Sequence, residues 1–228
     1  MLALKQALSL VSIKPAVWTP TDEATLVGWW RHAAGITEED NKVSQWADQS
    51  TNANHFLQDT ADEQPANGTG GNYGVLTFDP SNKQNMDTTS QISLTGNFTI
   101  GVALNLAAGG GILLGDNTAT GEFIKFFSTS VIRVKIDNAT AVDITKDSGT
   151  FLGKAYLVLT RVSDVITLHW NGVAQADTET LAGTADIDNL GVRKTNLNPY
   201  DGTIEEVQIY SSSSAALTAD VNARLSLI

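Results

Sequence analysis

Two carboxylates facing one cleft can hydrolyse a glycosidic bond, one as acid/base and the other as nucleophile. On a strand such a pair must stand two or four residues apart, because successive side chains alternate between faces. The adjacent Glu205 and Glu206 therefore point to opposite faces of an unbroken strand. This spacing predicts one inward or edge carboxylate and one solvated one, and no catalytic pair. A serine triad has no support either: there is no G-x-S-x-G, and His32, His55 and His169 are scattered. His169 reads as a surface or half-buried strand histidine. The chain has no cysteine, which excludes disulfides, thiolate zinc sites and a cysteine nucleophile.

Oxygen ligands are better represented. Asp79, Asp87, Asp116 and Asn117 fall at or near the ends of predicted strands, where a hard cation such as calcium finds carboxylates and carbonyls. No EF-hand pattern is present, and Asp and Asn also occur in turns for backbone reasons. A sugar site needs exposed aromatic rings with amides or carboxylates beside them. Tyr73, in Gly-Gly-Asn-Tyr-Gly, and Tyr200, in Asn-Pro-Tyr-Asp-Gly, sit in turn-rich contexts and are the glycan-binding candidates. Trp29 and Trp30 should face opposite ways, with at most one in the core.

These residues must be positioned by strands. The 228 residues are 42% hydrophobic and 17% charged, a composition that supports a packed core. A net charge of −11 argues against nucleic acid and against an anionic membrane surface as partner. No run of ~18 apolar residues is present to span a bilayer. Period-two alternation predicts strands at 75–79, 98–106, 111–115, 123–127, 131–137, 155–162, 165–170 and 203–210. In VIRVKID, Ile132, Val134 and Ile136 should face the core and Val131, Arg133, Lys135 and Asp137 the solvent. Asn171-Gly172 marks a tight hairpin, since both central residues of a type I′ turn need positive φ. A terminal helix is expected with Thr218 as cap and Val221, Leu225 and Ile228 on one face, reached through a flexible run of serines at 211–214. Before the strands, Leu4, Leu8 and Val11 form one apolar stripe that Pro15 ends. That stripe either packs on its own domain or docks on a partner. Lys5 and Gln6 interrupt the apolar run that a signal peptide would need. The predicted fold is all-β: a two-sheet antiparallel jelly-roll sandwich with an N-terminal arm and a short C-terminal helix.

Three pieces in order carry a resemblance. They are LVGWWRHAAGI with KVSQWADQSTNANHFLQ (26–36 and 42–58), then Gln64-Pro65 with GVLTFDP (74–80), then LTGNFTIGVALNL, LHWNGV and GTIEEVQIYS. The step Trp46-Ala47-Asp48-Gln49-Ser50 is a W-x-D-x-S, and Trp46 looks like core within it. The set resembles LamG-like domains of the concanavalin A-like lectin/glucanase superfamily, over about residues 26–228. Glycoside hydrolases of that superfamily carry E-x-D-x-E or E-x-D-x-x-E, which is missing here, and some LamG-like domains bind calcium at the sheet rim. With its short opening segment the chain also resembles structural proteins of tailed bacteriophages, marine ones especially. The resemblance implies residues 1–25 as a docking arm and 26–228 as the jelly roll. It further implies a non-enzymatic virion component, assembled in a host cytoplasm with other virion proteins as a homo-oligomer. The alternative is a carbohydrate-binding or host-adhesion module that contacts cell-surface glycans.

Overall fold

The computed structural model describes residues 18–116, 122–137, 139–193 and 196–228. Within them the predicted alternation becomes antiparallel strands: β1 (Leu26–Trp30), β2 (Ile36–Glu39), β3 (Lys42–Trp46), β4 (Phe56–Leu57), β5 (Ala66–Asn67), β6 (Leu76–Phe78), β7 (Met86–Leu94), β8 (Phe98–Leu106), β9 (Ile112–Gly115), β10 (Phe123–Phe126), β11 (Val131–Lys135), β12 (Val142–Thr145), β13 (Gly153–Val162), β14 (Val165–Trp170), β15 (Val173–Thr180), β16 (Ala185–Leu190) and β17 (Gly202–Tyr210). One helix follows, α1 (Ala215–Leu225). The first layer runs β1-β17-β8-β13-β14-β15 and the second β4-β7-β16-β9-β10-β11-β12. Along one edge β3, β5 and β6 link the layers through backbone pairing. At the other edge, Thr145 N donates to Asp177 Oδ2 at 2.7 Å and Asp147 N to Gln175 Oε1 at 3.0 Å. The result is an all-β sandwich with barrel-like edges and one C-terminal helix.

The local signals explain the elements. Asn171 and Gly172 take φ of 49° and 78° between β14 and β15, the pair of positive values that the hairpin turn requires. Ile132, Val134 and Ile136 are buried between the layers while Arg133 and Lys135 face outward. Trp46 is buried as expected, and Trp30 and Trp46 close on Phe56 at ring-centroid distances of 4.2 and 6.4 Å. Asp48 explains the W-x-D-x-S step: its carboxylate accepts from the backbone N–H of Trp29, Ser50 and Asn54 and from Ser50 Oγ. One short side chain thus ties β1 to the following turn. The far end of the sandwich is closed by Arg161, which is buried, donates to the carbonyls of Gly96, Gly183 and Leu94, and lies 4.8 Å over the Phe98 ring.

The outer face of the first layer is covered by α1. Leu217, Val221 and Leu225 pack with Ala103, Val158 and Tyr210. The helix lies so close that a Cβ on Gly101 would stand 2.5 Å from Val221 Cγ1. It starts earlier than expected, because Ser214, not Thr218, caps it by accepting from Leu217 N at 3.1 Å. Thr218 instead donates its hydroxyl back to Ser214 O. The serines are held rather than loose: Ser211 N and Oγ donate to Thr25 O, and Ser212 O accepts from Thr99. Both tryptophans of β1 are buried, and they face opposite ways as expected, with Trp30 alone of the two in the inter-layer core. Trp29 lies on the covered outer face.

Candidate functional site

Two adjacent carboxylates, Glu205 and Glu206, lie on β17. Its pairing with β8 slips between Ile204 and Glu206, so Glu205 is the extra residue of a β-bulge. The bulge cancels the alternation, and both carboxylates come to the side on which α1 lies. Neither is solvated: Glu205 is 4% exposed and Glu206 0%. Glu206 accepts from Trp29 Nε1 at 3.0 Å and Gln208 Nε2 at 2.7 Å, and takes a bidentate pair from Arg224 at 3.0 and 2.8 Å. The Glu206 pairing holds the Arg224 guanidinium pKa above its ordinary value. Glu205 meets Lys154 Nζ at 3.2 Å and His32 Nδ1 at 3.9 Å. The prediction of opposed faces and one solvated carboxylate is therefore wrong, and the bulge is the reason. The pair ties α1 and the β1–β2 turn to the sheet.

The sequence-based glycan candidates separate. Tyr200 is 0% exposed; its ring packs on Phe78 and Phe126 and its hydroxyl donates to Asn105 O. Burial pushes its phenol pKa well above the ordinary range. A turn-rich context signalled irregular backbone, not exposure, and a buried Tyr200 cannot contact a glycan. Tyr73 is exposed, just after the turn at 70–72. His169 is half-buried, and desolvation lowers its pKa.

The calcium candidates are given separate roles. Asp79 accepts from Ser81 N and Oγ at 2.8 and 2.7 Å, which lowers its pKa. Asp87 accepts from Asn189 Nδ2 at 2.6 Å, and Asp116 is buried after β9. Asn117, and with it Leu4, Leu8 and Val11, lies outside the described residues. Among the described residues no group of three or more His, Asp or Glu side chains could hold a metal ion. A cleft of about 430 Å³ lined by Asn52, Asn54, Ser90 and Gln91 offers amides. Both asparagines are already spent on backbone, Asn52 on Leu26 and Val27 and Asn54 on both backbone groups of Ser90.

The outer face of the second layer differs: no helix of the described residues packs on it. Cross-strand register sets Lys125 of β10 opposite Arg133 of β11, and Arg133 opposite Asp143 of β12. Arg133 grips Asp143 through Nε and Nη2 at 2.6 and 2.7 Å. That fork raises the arginine's pKa and lowers the aspartate's. Phe127, one residue past β10, is 45% exposed, with the Arg133 guanidinium 3.6 Å and Lys125 Nζ 5.8 Å from its ring centre. Lys125 Nζ donates to Asn198 Oδ1 at 3.2 Å. Desolvation, and then the charges of Arg193 and Arg133, lower the lysine's pKa. Arg193 stacks over Phe123 at 4.8 Å. An exposed ring, a fixed guanidinium fork, an ammonium and an amide thus share one face. Sequence reading missed this row. Its signal was the hairpin FIKFF-STS-VIRVKID, which if folded at the serines sets Lys125 against Arg133.

Comparison with solved structures places this architecture. Domain 4 of AbnA, a GH43 extracellular arabinanase from Geobacillus stearothermophilus, in complex with arabinotriose, matches with TM-score 0.59 and 13% identity, over 89% of this chain and 98% of that one. A GH54 α-L-arabinofuranosidase matches with TM-score 0.55 and 15% identity, over 81% of this chain and 50% of that one. Trypanosoma rangeli sialidase matches with TM-score 0.52 and 13% identity, over 90% of this chain and 33% of that one. All three come from sugar-acting enzymes. The chain therefore spans about half of the arabinofuranosidase chain and a third of the sialidase chain. No family model and no curated protein matches the sequence. The expectation of a non-enzymatic protein is corrected, because this fold is carried by chains of glycoside hydrolases and sialidases, and because the carboxylate argument behind it fails at the Glu205 bulge. At these identities the likeness shows the fold alone. No helix of the described residues is long and apolar enough to cross a membrane.

Proposed function

We propose that the chain is a carbohydrate-binding module whose contact surface is the outer face of β10–β12. The observation that carries this reading is Phe127, a large ring left 45% exposed beside polar groups already held in place. A sugar ring presents an apolar C–H face and a rim of hydroxyls. An aromatic face with a few fixed polar groups matches both. Arg133 is locked by Asp143, so ordering it on binding costs little further entropy. Asn198 Oδ1 accepts from Lys125, and the rest of that amide adds hydroxyl-bonding capacity beside it. The arabinotriose in the domain 4 structure supports a sugar as ligand for a domain of this fold. Titration calorimetry of the whole chain against soluble arabinan, xylan, galactan and polygalacturonate tests the reading. Binding of at least one polymer, weakened by Phe127→Ala with folding unchanged, is expected. Failure of the folded protein to bind any of them overturns it. Attachment to a larger assembly, a virion among them, through residues 1–20 is a separate proposal, tested by deleting residues 2–14 and measuring particle association.

A further inference from the structure

We propose that the ligand of this face is an acidic polysaccharide, with uronate carboxylates seated between Lys125 and Arg133; the proposal rests on the carbohydrate reading above. One charge placement on this face works against stability. Like charges directly opposite each other on neighbouring strands repel, and sheets ordinarily avoid them. This chain has only 14 basic residues against 25 acidic ones, yet it sets Lys125 and Arg133 opposite each other in register. Asp143 answers Arg133, with one bond to each carboxylate oxygen. Among the described residues no carboxylate lies within ion-pair distance of Lys125, whose Nζ is bonded to the neutral Asn198. Arg193 adds further positive charge to the lysine's surroundings. A negative group supplied from outside would relieve the repulsion and bond the ammonium.

The companion groups select the kind of anion. Phe127 lies against Arg133 and within 5.8 Å of Lys125 Nζ, so a ligand reaching the ammonium also meets an aromatic ring. A uronic acid carries a carboxylate and an apolar ring face in one residue. A bare inorganic anion uses only the charge. The overall charge of −11 opposes a dense polyanion, whereas one carboxylate per sugar suits a small local excess of cations.

The test compares polygalacturonate with the same polymer after carboxyl reduction, titrated into the full-length chain. Polygalacturonate should bind about tenfold more tightly, with affinity falling as salt rises, because a hydrogen bond to a charged group carries that much discrimination. Lys125→Gln should remove the preference for polygalacturonate over the reduced polymer, and Lys125→Arg should restore it. Equal affinity for the two polymers overturns the acidic assignment while the carbohydrate reading stands. No binding of either polymer or of the neutral panel overturns both. A preference for polygalacturonate over the reduced polymer that survives Lys125→Gln places the anion elsewhere and overturns the proposal. Tighter binding of dextran sulfate than of polygalacturonate shows a general anion surface and also overturns it.

Discussion

The two outer faces of the sandwich carry similar side chains and treat them in opposite ways. On the first layer, Glu206 is held by Trp29, Gln208 and Arg224 of α1, and Glu205 by Lys154, all inside the chain. On the second layer, Lys125, Arg133, Asp143 and Phe127 face outward, and among the described residues Lys125 has no carboxylate within ion-pair distance. A buried carboxylate with a bidentate arginine is a fastening, because removing either partner strands a charge away from water. A half-exposed ammonium set against another cation is a receptor, because its missing partner can come from solution. Charge type alone does not separate these roles; cover and pairing do.

The comparison can be broken most forcefully at Glu206. Glu206→Ala leaves Arg224 without its counter-charge and should destabilise the fold by about 3–5 kcal/mol in urea unfolding. A loss below about 1 kcal/mol would mean that the covered face is not a fastening. Next comes the helix seat. Gly101→Val puts atoms into space held by Val221 and Leu225 and should cost about 1–3 kcal/mol, with α1 losing hydrogen-exchange protection first. On the open face the order of effects reverses. Phe127→Ala should change stability by no more than about 0.5 kcal/mol, as exposed positions usually do, while polymer affinity falls several-fold. Breaking the exposed fork with Asp143→Asn should cost no more than about 1 kcal/mol of stability.

Two pH effects sharpen the same contrast. Lys125 binds an anion only when protonated, and its pKa is lowered by burial and neighbouring cations. Affinity for an acidic polymer should therefore fall as pH rises through that lowered pKa, before the ordinary lysine range near ~10.4 is reached. Lys125→Arg should carry binding further into alkali, read by titrations between neutral pH and the lysine range. Asp143 has a lowered pKa, so its folded-state contribution is full above the unfolded value and is lost as pH falls through the folded one. The fork should thus persist into acid below the usual carboxylate range, followed by NMR of the Asp143 carboxyl.

The strands were legible because a half-buried strand writes its two faces into alternate residues. VIRVKID split as expected, and Asn171-Gly172 announced its turn through the backbone conformations that those residues tolerate. The helix was legible as an element but not at its start, since any of several Ser and Thr residues could cap it; Ser211 and Ser212 are held by Thr25 and Thr99, and Ser214 is the cap. Tyr200 shows the limit for single residues: its Pro, Asp and Gly neighbours describe a turn, while its burial depends on Phe78 and Phe126, far away in sequence.

What the sequence determined by itself was therefore periodic and local: an all-β chain, its strand faces, one hairpin turn and the W-x-D-x-S step that fixes Asp48. What only the tertiary structure decided was register. A one-residue bulge in β17 moved Glu205 onto the face of Glu206 and turned an apparently opposed pair into a buried fastening. The pairing of β10, β11 and β12 set Lys125, Arg133 and Asp143 in one row. The physical reason is that a slip of one residue exchanges the faces of a strand, and that slip is set by partner strands rather than by the residues it moves.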